Sequence, residues 1–95
     1  MKVLFDFLQV VSEDSRISAA HIAVYVALLK LWKDKDFMIP LFFFRHELVA
    51  TCKISSTSTF HRVIRELQEY GYIKYQPSFS NRLGSRVEFV MMKRG

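Results

Sequence analysis

The apolar positions in the first third of the chain fall at helical spacing. Leu4, Phe7, Leu8 and Val11 recur at i, i+3, i+4 and i+7, which predicts an amphipathic helix over residues 2–12, ended by the polar cluster Ser12-Glu13-Asp14-Ser15. Ser18 is placed to cap a second helix, its hydroxyl accepting from a backbone N–H of the first turn, and that helix is predicted to run to about Lys35. It has two apolar faces: Ile22, Tyr25, Val26, Leu29 and Trp32 on one, Ala20, Val24, Ala27, Leu28 and Leu31 on the other. A helix that is apolar nearly all round must be covered on both sides. The second cover is either the N-terminal helix or a second copy of the chain, so a homodimer is expected.

After the charged break Lys33-Asp34-Lys35-Asp36 the pattern shortens. Residues 38–44 read as a short strand with Pro40 near its start, 45–50 as a short helix contributing Leu48 and Val49 to the core, and 51–54 as a turn. Over residues 55–70, Phe60, Val63, Ile64 and Leu67 fall on one helical stripe, and Gly71 marks the end. Residues 72–76 and 86–92 favour strand, the latter alternating Val87, Phe89 and Met91 against Glu88, Val90 and Met92, and the loop formers of 77–85 join them into a hairpin. The predicted class is α+β, mainly α: one domain over 1–95, with a helical or dimerising part at 1–36 and a helix-turn-helix pair plus hairpin at 37–92. Short helix, tight turn, longer helix and hairpin is the element order of a winged helix-turn-helix, in which the second helix of the pair enters the major groove of DNA.

Charge sharpens this picture. The chain has 95 residues, 51% of them apolar, and a net charge of +5. Residues 1–52 balance six basic side chains against six acids, whereas residues 53–95 carry eight against three, so the whole excess lies in the second half. Such an asymmetry suits a surface that faces a polyanion. The single cysteine, Cys52, and the absence of a recognisable leader lead to an expectation of a reducing cytoplasm, and the longest apolar run is too interrupted and short to span a bilayer.

Projected at 100° per residue, the helix over 55–70 turns Ser58, Arg62, Arg65 and Glu69 away from its apolar stripe, with His61 at the flank. Its start, Ser55-Ser56-Thr57-Ser58-Thr59, offers small hydroxyls that let a phosphate approach the N–H groups at the positive end of the helix dipole. Arg62 and Arg65 can each present a fork to guanine O6 and N7 or neutralise a phosphate; spacing does not decide between the two. The plainer reading is a solvated face with Arg62 paired to Glu66 and Arg65 to Glu69. In the hairpin, Arg82 and Arg86 are candidates for backbone or minor-groove contact, with Ser80 and Asn81 as further hydrogen-bonding groups and Lys53 as a phosphate contact from the turn. The DNA-binding set is thus Lys53, Ser55, Ser56, Thr57, Ser58, His61, Arg62, Arg65, Arg82 and Arg86.

No Gly-rich phosphate loop or Ser/His/Asp set points to catalysis, and no cofactor is expected. His21, His46, His61 and Cys52 lack metal-site spacing and the histidines read as polar surface groups, so no metal is expected either. Phe42, Phe43 and Phe44 read as strand and core.

The run Phe60-His61-Arg62-Val63-Ile64-Arg65-Glu66-Leu67 followed by Gly71-Tyr72-Ile73 resembles the winged helix-turn-helix superfamily of bacterial regulators. With Ile22 to Trp32, Arg45-His46-Glu47-Leu48, Tyr72 to Ser78 and Leu83-Gly84-Ser85-Arg86-Val87 included, the chain is similar to small winged-helix proteins of conjugative transposons and other bacterial mobile elements. The resemblance implies a transcriptional regulator or an accessory factor of element excision and transfer. Two positions depart from it: Phe44 stands where a Ser or Thr cap is usual, and Arg82 has no support from the motif. The competing function is a protein-interaction module that works through the apolar face of helix 18–35; RNA or single-strand binding is a third, more distant one.

Overall fold

The computed structural model describes residues 2–78 and 82–90. Four helices and three strands follow in the order α1 (Lys2–Val11), α2 (Ala19–Asp34), β1 (Leu41–Phe43), α3 (Arg45–Cys52), α4 (Thr57–Glu69), β2 (Ile73–Gln76) and β3 (Ser85–Phe89). The strands form one antiparallel sheet in the order β1-β3-β2, with Leu41 opposite Val87, Phe43 opposite Ser85, and Ile73 opposite Phe89. The α+β, mainly helical class is as expected, and the layout is compatible with a winged helix. No helix among the described residues is long and apolar enough to cross a membrane.

The core is built where the α4 stripe meets α2 and the sheet. Phe60, Val63, Ile64 and Leu67 are all buried, together with Val24, Tyr25, Ala27, Leu28 and Leu29 of α2, Leu48 of α3, and Leu41, Phe43, Ile73 and Val87 of the strands. Both apolar faces of α2 are therefore largely covered within one chain. On the Tyr25 side the cover includes α1: Phe7, fully buried, stacks on Tyr25 with ring centroids 3.7 Å apart and meets Tyr72 edge-on at 5.4 Å.

Element ends differ from expectation in four places, each for a local reason. Ser18 does precede α2, but its hydroxyl takes no backbone N–H of the helix; instead its own N–H donates to His21 Nδ1 at 3.0 Å. The strand expected over 38–44 shrinks to Leu41–Phe43. Asp36 and Phe37 adopt positive φ, Pro40 has no N–H for a ladder, and the Met38 carbonyl accepts from Trp32 Nε1 at 2.9 Å, so the chain before Leu41 is a turn folded back on α2. The turn between α3 and α4 lies later than 51–54. Cys52 is buried and continues α3, and the stop comes at Lys53, which takes the left-handed conformation (φ 63°) that ends many helices. Ser55 and Ser56 consequently precede α4, with Ser56 as its cap, accepting from the Thr59 N–H at 3.3 Å. The final strand pairs only to Phe89, although the Val90 N–H still donates to the Tyr72 carbonyl; the Met91 and Met92 of the expected alternation lie outside the described residues.

Phe44 does not blunt the start of α3. The Glu47 carboxylate reaches back to the Phe44 N–H at 2.8 Å, so the third residue of the helix performs the capping that an aromatic side chain cannot.

Candidate nucleic-acid interface

The tight Lys53–Ser56 connection and the burial of the α4 stripe together decide which α4 residues face out. Ser58, His61, Arg62, Arg65 and Glu69 are all exposed, as the projection required. Lys53, Ser55, Ser56 and Thr57 are exposed at the N-terminal end of the helix. The hydroxyls there are partly engaged: Ser56 Oγ lies 3.2 Å from Ser58 Oγ, and the Ser55 carbonyl accepts from Arg45 Nη1 at 3.1 Å. Arg86 is exposed on β3 in register with Gln76, and Arg82 is exposed on the approach to that strand. Ser80 and Asn81 lie outside the described residues.

Between α4 and the hairpin runs an open cleft of about 350 Å³ lined by His61, Arg65, Tyr75, Pro77, Ser78 and Ser85. A smaller one beside it brings in Arg45, Phe44 and Gly84. The structure thus brings His61 and Arg65 of α4 together with the hairpin around one groove, while the hydroxyls at the helix start, Arg62 and Arg86 lie outside its lining. Arg45 and Tyr75 belong to that groove and were not anticipated; Arg45 was legible only as the first residue of a short helix.

The two arginines of α4 differ. Arg62 Nη1 donates to Glu66 Oε1 at 2.9 Å, the i, i+4 pair expected of a solvated face. Arg65 instead donates from Nε to the His61 carbonyl at 3.2 Å, and the expected pair with Glu69 is not formed. Glu66 has a second partner. His21 Nε2 lies 2.9 Å from the same Oε1, which makes Glu66 the junction between α2 and the outer face of α4. His21 is only 4% exposed, so its reading as a surface histidine is corrected; His46 and His61 are exposed. The missed signal was its spacing, since position 21 lies at the seam between the two apolar faces, three, four and seven residues before Val24, Tyr25 and Leu28, and a polar ring there must find a partner when buried. Among the described residues no cluster of His, Cys, Asp and Glu is arranged to hold a metal ion.

A further polar cluster fastens the end of α4. Asp14 accepts from the Tyr72 hydroxyl at 2.6 Å and from Arg16 Nε and Nη2, both at 2.9 Å, and the Arg16 guanidinium lies 4.3 Å from the centre of the Tyr70 ring. The Arg16 contact, helped by the Tyr72 hydroxyl, holds the Asp14 carboxyl well below the usual carboxylate range. Burial and the neighbouring carboxylate push the Tyr72 phenol up to about 12. The segment read only as a helix breaker is therefore a strap across the α4–β2 junction.

Compared with known proteins, the chain matches no family model, no curated protein and no solved structure.

Proposed function

We propose that this chain is a winged helix-turn-helix protein that binds double-stranded DNA, with α4 in the major groove and the hairpin, over residues 77–86, on the backbone. The observation that carries the reading is the outer row of α4. His61, Arg62 and Arg65 stand exposed beside a capped, hydroxyl-lined helix start and an open cleft, in the half of the chain that holds its entire charge excess. A helix of this exposure and width suits a groove that admits one α-helix and displays acceptors to arginine. The element order and the β1-β3-β2 sheet support the winged-helix assignment. A role as transcriptional regulator or mobile-element accessory factor follows the resemblance to winged-helix proteins of such elements.

The test is duplex affinity across a salt series. Each phosphate contact contributes about −0.9 to the slope of log K against log salt. Arg62→Ala combined with Arg65→Ala is expected to weaken binding by at least about 1–3 kcal/mol, and unchanged affinity refutes the proposal.

The interaction-module reading has less to work with, because half of the residues on the apolar faces of α2 are buried within the chain and the others are partly buried. The same burial moves the ground for a homodimer. A surface open to a second copy is the exposed run Phe37, Met38 and Ile39, beside the exposed Phe5 and Leu8 of α1, and light scattering on the wild type and on Ile39→Glu tests the first of these.

A further inference from the structure

We infer that the two arginines of α4 have different jobs: Arg62 reads a base edge, oriented by Glu66 and His21, while Arg65 holds a phosphate. This deepens the DNA-binding proposal and rests on it. The argument starts in the core. His21 Nδ1 lies 3.0 Å from the Ser18 backbone nitrogen and 2.8 Å from its hydroxyl, and on the other side of the ring Nε2 lies 2.9 Å from Glu66 Oε1, a carboxylate oxygen that can only accept, so the ring donates to Glu66. Glu66, half-buried, is thereby held from its inner side, and its Oε1 also accepts from Arg62 Nη1 at 2.9 Å. The guanidinium, on a side chain that is 57% exposed, is thus tied to the fold by a continuous line of hydrogen bonds, and its other N–H groups are left to point outward.

That arrangement favours a base over a phosphate. A phosphate approaching Arg62 also feels the Glu66 carboxylate, 2.9 Å behind Nη1, which offsets part of the attraction of the guanidinium. Guanine O6 and N7 carry no net charge. They need two N–H groups in a fixed orientation, which the Glu66 contact supplies by removing rotamer freedom before binding. Arg65 is the opposite case. Its Nε is anchored to a neutral carbonyl, it meets no carboxylate among the described residues, and it lines the cleft between helix and hairpin, so its full charge is available to the DNA backbone.

The experiment uses the full chain, a duplex chosen by selection from a random pool, and a scrambled duplex of the same length, each measured over a salt series. For Arg62→Ala, the preference for selected over scrambled duplex is expected to fall by about 5- to 150-fold with little change in salt slope. For Arg65→Ala, affinity for both duplexes should fall alike and the slope become shallower by about 0.9. Glu66→Gln should lose preference as Arg62→Ala does while binding the scrambled duplex more tightly, because the charge of Arg62 is released; a purely structural role for Glu66 does not raise any affinity. Should Glu66→Gln unfold, Arg62→Lys decides in its place, since it keeps the charge and loses the fork: preference should drop at unchanged slope. The inference is overturned if Arg62→Ala flattens the slope by about 0.9 and leaves preference intact, or if Glu66→Gln and Arg62→Lys leave preference unchanged. Absence of wild-type binding to any duplex is a different result, which removes the DNA-binding proposal itself and this inference with it.

Discussion

Replacing Gly84 by alanine tests the point at which the hairpin is locked to the rest of the fold. Gly84 is buried, has φ +79°, and its backbone passes directly over the β1–α3 junction. A Cβ built there collides with the Phe43 carbonyl oxygen, lies 2.9 Å from the Phe43 carbonyl carbon and 3.3 Å from the Phe44 ring. Two terms add. An alanine held in the left-handed region loses roughly 1–2 kcal/mol. The collision involves backbone that cannot give, because Phe43 is paired with Ser85 in the β1–β3 ladder, and such overpacking typically adds about 1–3 kcal/mol. The expected loss is about 2–5 kcal/mol, a large part of the roughly 5–15 kcal/mol that holds a domain folded. In urea, with a slope of about 1–3 kcal/mol per molar, the midpoint should fall on the order of 1–2 M, read by far-ultraviolet circular dichroism or Trp32 fluorescence. Gly71→Ala is the control. Its φ is +89°, but a Cβ there meets nothing within 4 Å, so only the backbone term of about 1–2 kcal/mol applies. Equal losses at the two positions would refute the close approach of residue 84 to Phe43.

Three further outcomes are expected. Phe7→Ala should destabilise by about 3–5 kcal/mol, because a fully buried ring stacked on Tyr25 is removed; a loss under about 1 kcal/mol in urea denaturation would mean that α1 is not part of the core. The Tyr25 hydroxyl is buried with no hydrogen-bond partner among the described residues, so Tyr25→Phe should be neutral or stabilising by up to about 1 kcal/mol, and a clear drop in melting temperature counts against that description. Asp14 is depressed in the folded state, so its contribution is complete above the unfolded carboxylate value of about 3.9 and is lost as pH falls from there through the folded value. The stability gap between wild type and Asp14→Asn should therefore be constant near neutrality and narrow below about pH 4; a gap that stays constant into acid contradicts the Asp14–Arg16–Tyr72 arrangement.

Helices α1, α2 and α4 were legible because their apolar residues recur at helical spacing over ten or more positions, and the α4 stripe of Phe60, Val63, Ile64 and Leu67 is as buried as that period requires. Ends were less legible, since they depend on single hydrogen bonds. Nothing in Phe44 announces a cap; the donor it supplies is its backbone, and the acceptor is three residues on in Glu47. Nor does Lys53 announce the left-handed residue that ends α3, a place where glycine is the usual marker.

The site divides along the same line. That Arg62 and Arg65 face outward follows from α4 periodicity alone, so both were found. Their difference depends on His21, 45 residues before Glu66 in the chain, and no local pattern links the two. Periodicity says which way a side chain points, whereas its chemistry is decided by what the fold brings up behind it. Glu66 makes the point in one residue. Read within α4 it is the acid of an i, i+4 pair that weakens a basic face. Held also by a buried imidazole from α2, it becomes a fixed acceptor that turns its arginine from a mobile charge into an oriented donor. A basic face is therefore a poor guide to which cation discriminates sequence. On the DNA-binding proposal, the arginine that is already neutralised is the better candidate for a base edge, and the unneutralised one, Arg65, is better suited to the uniform charge of the backbone.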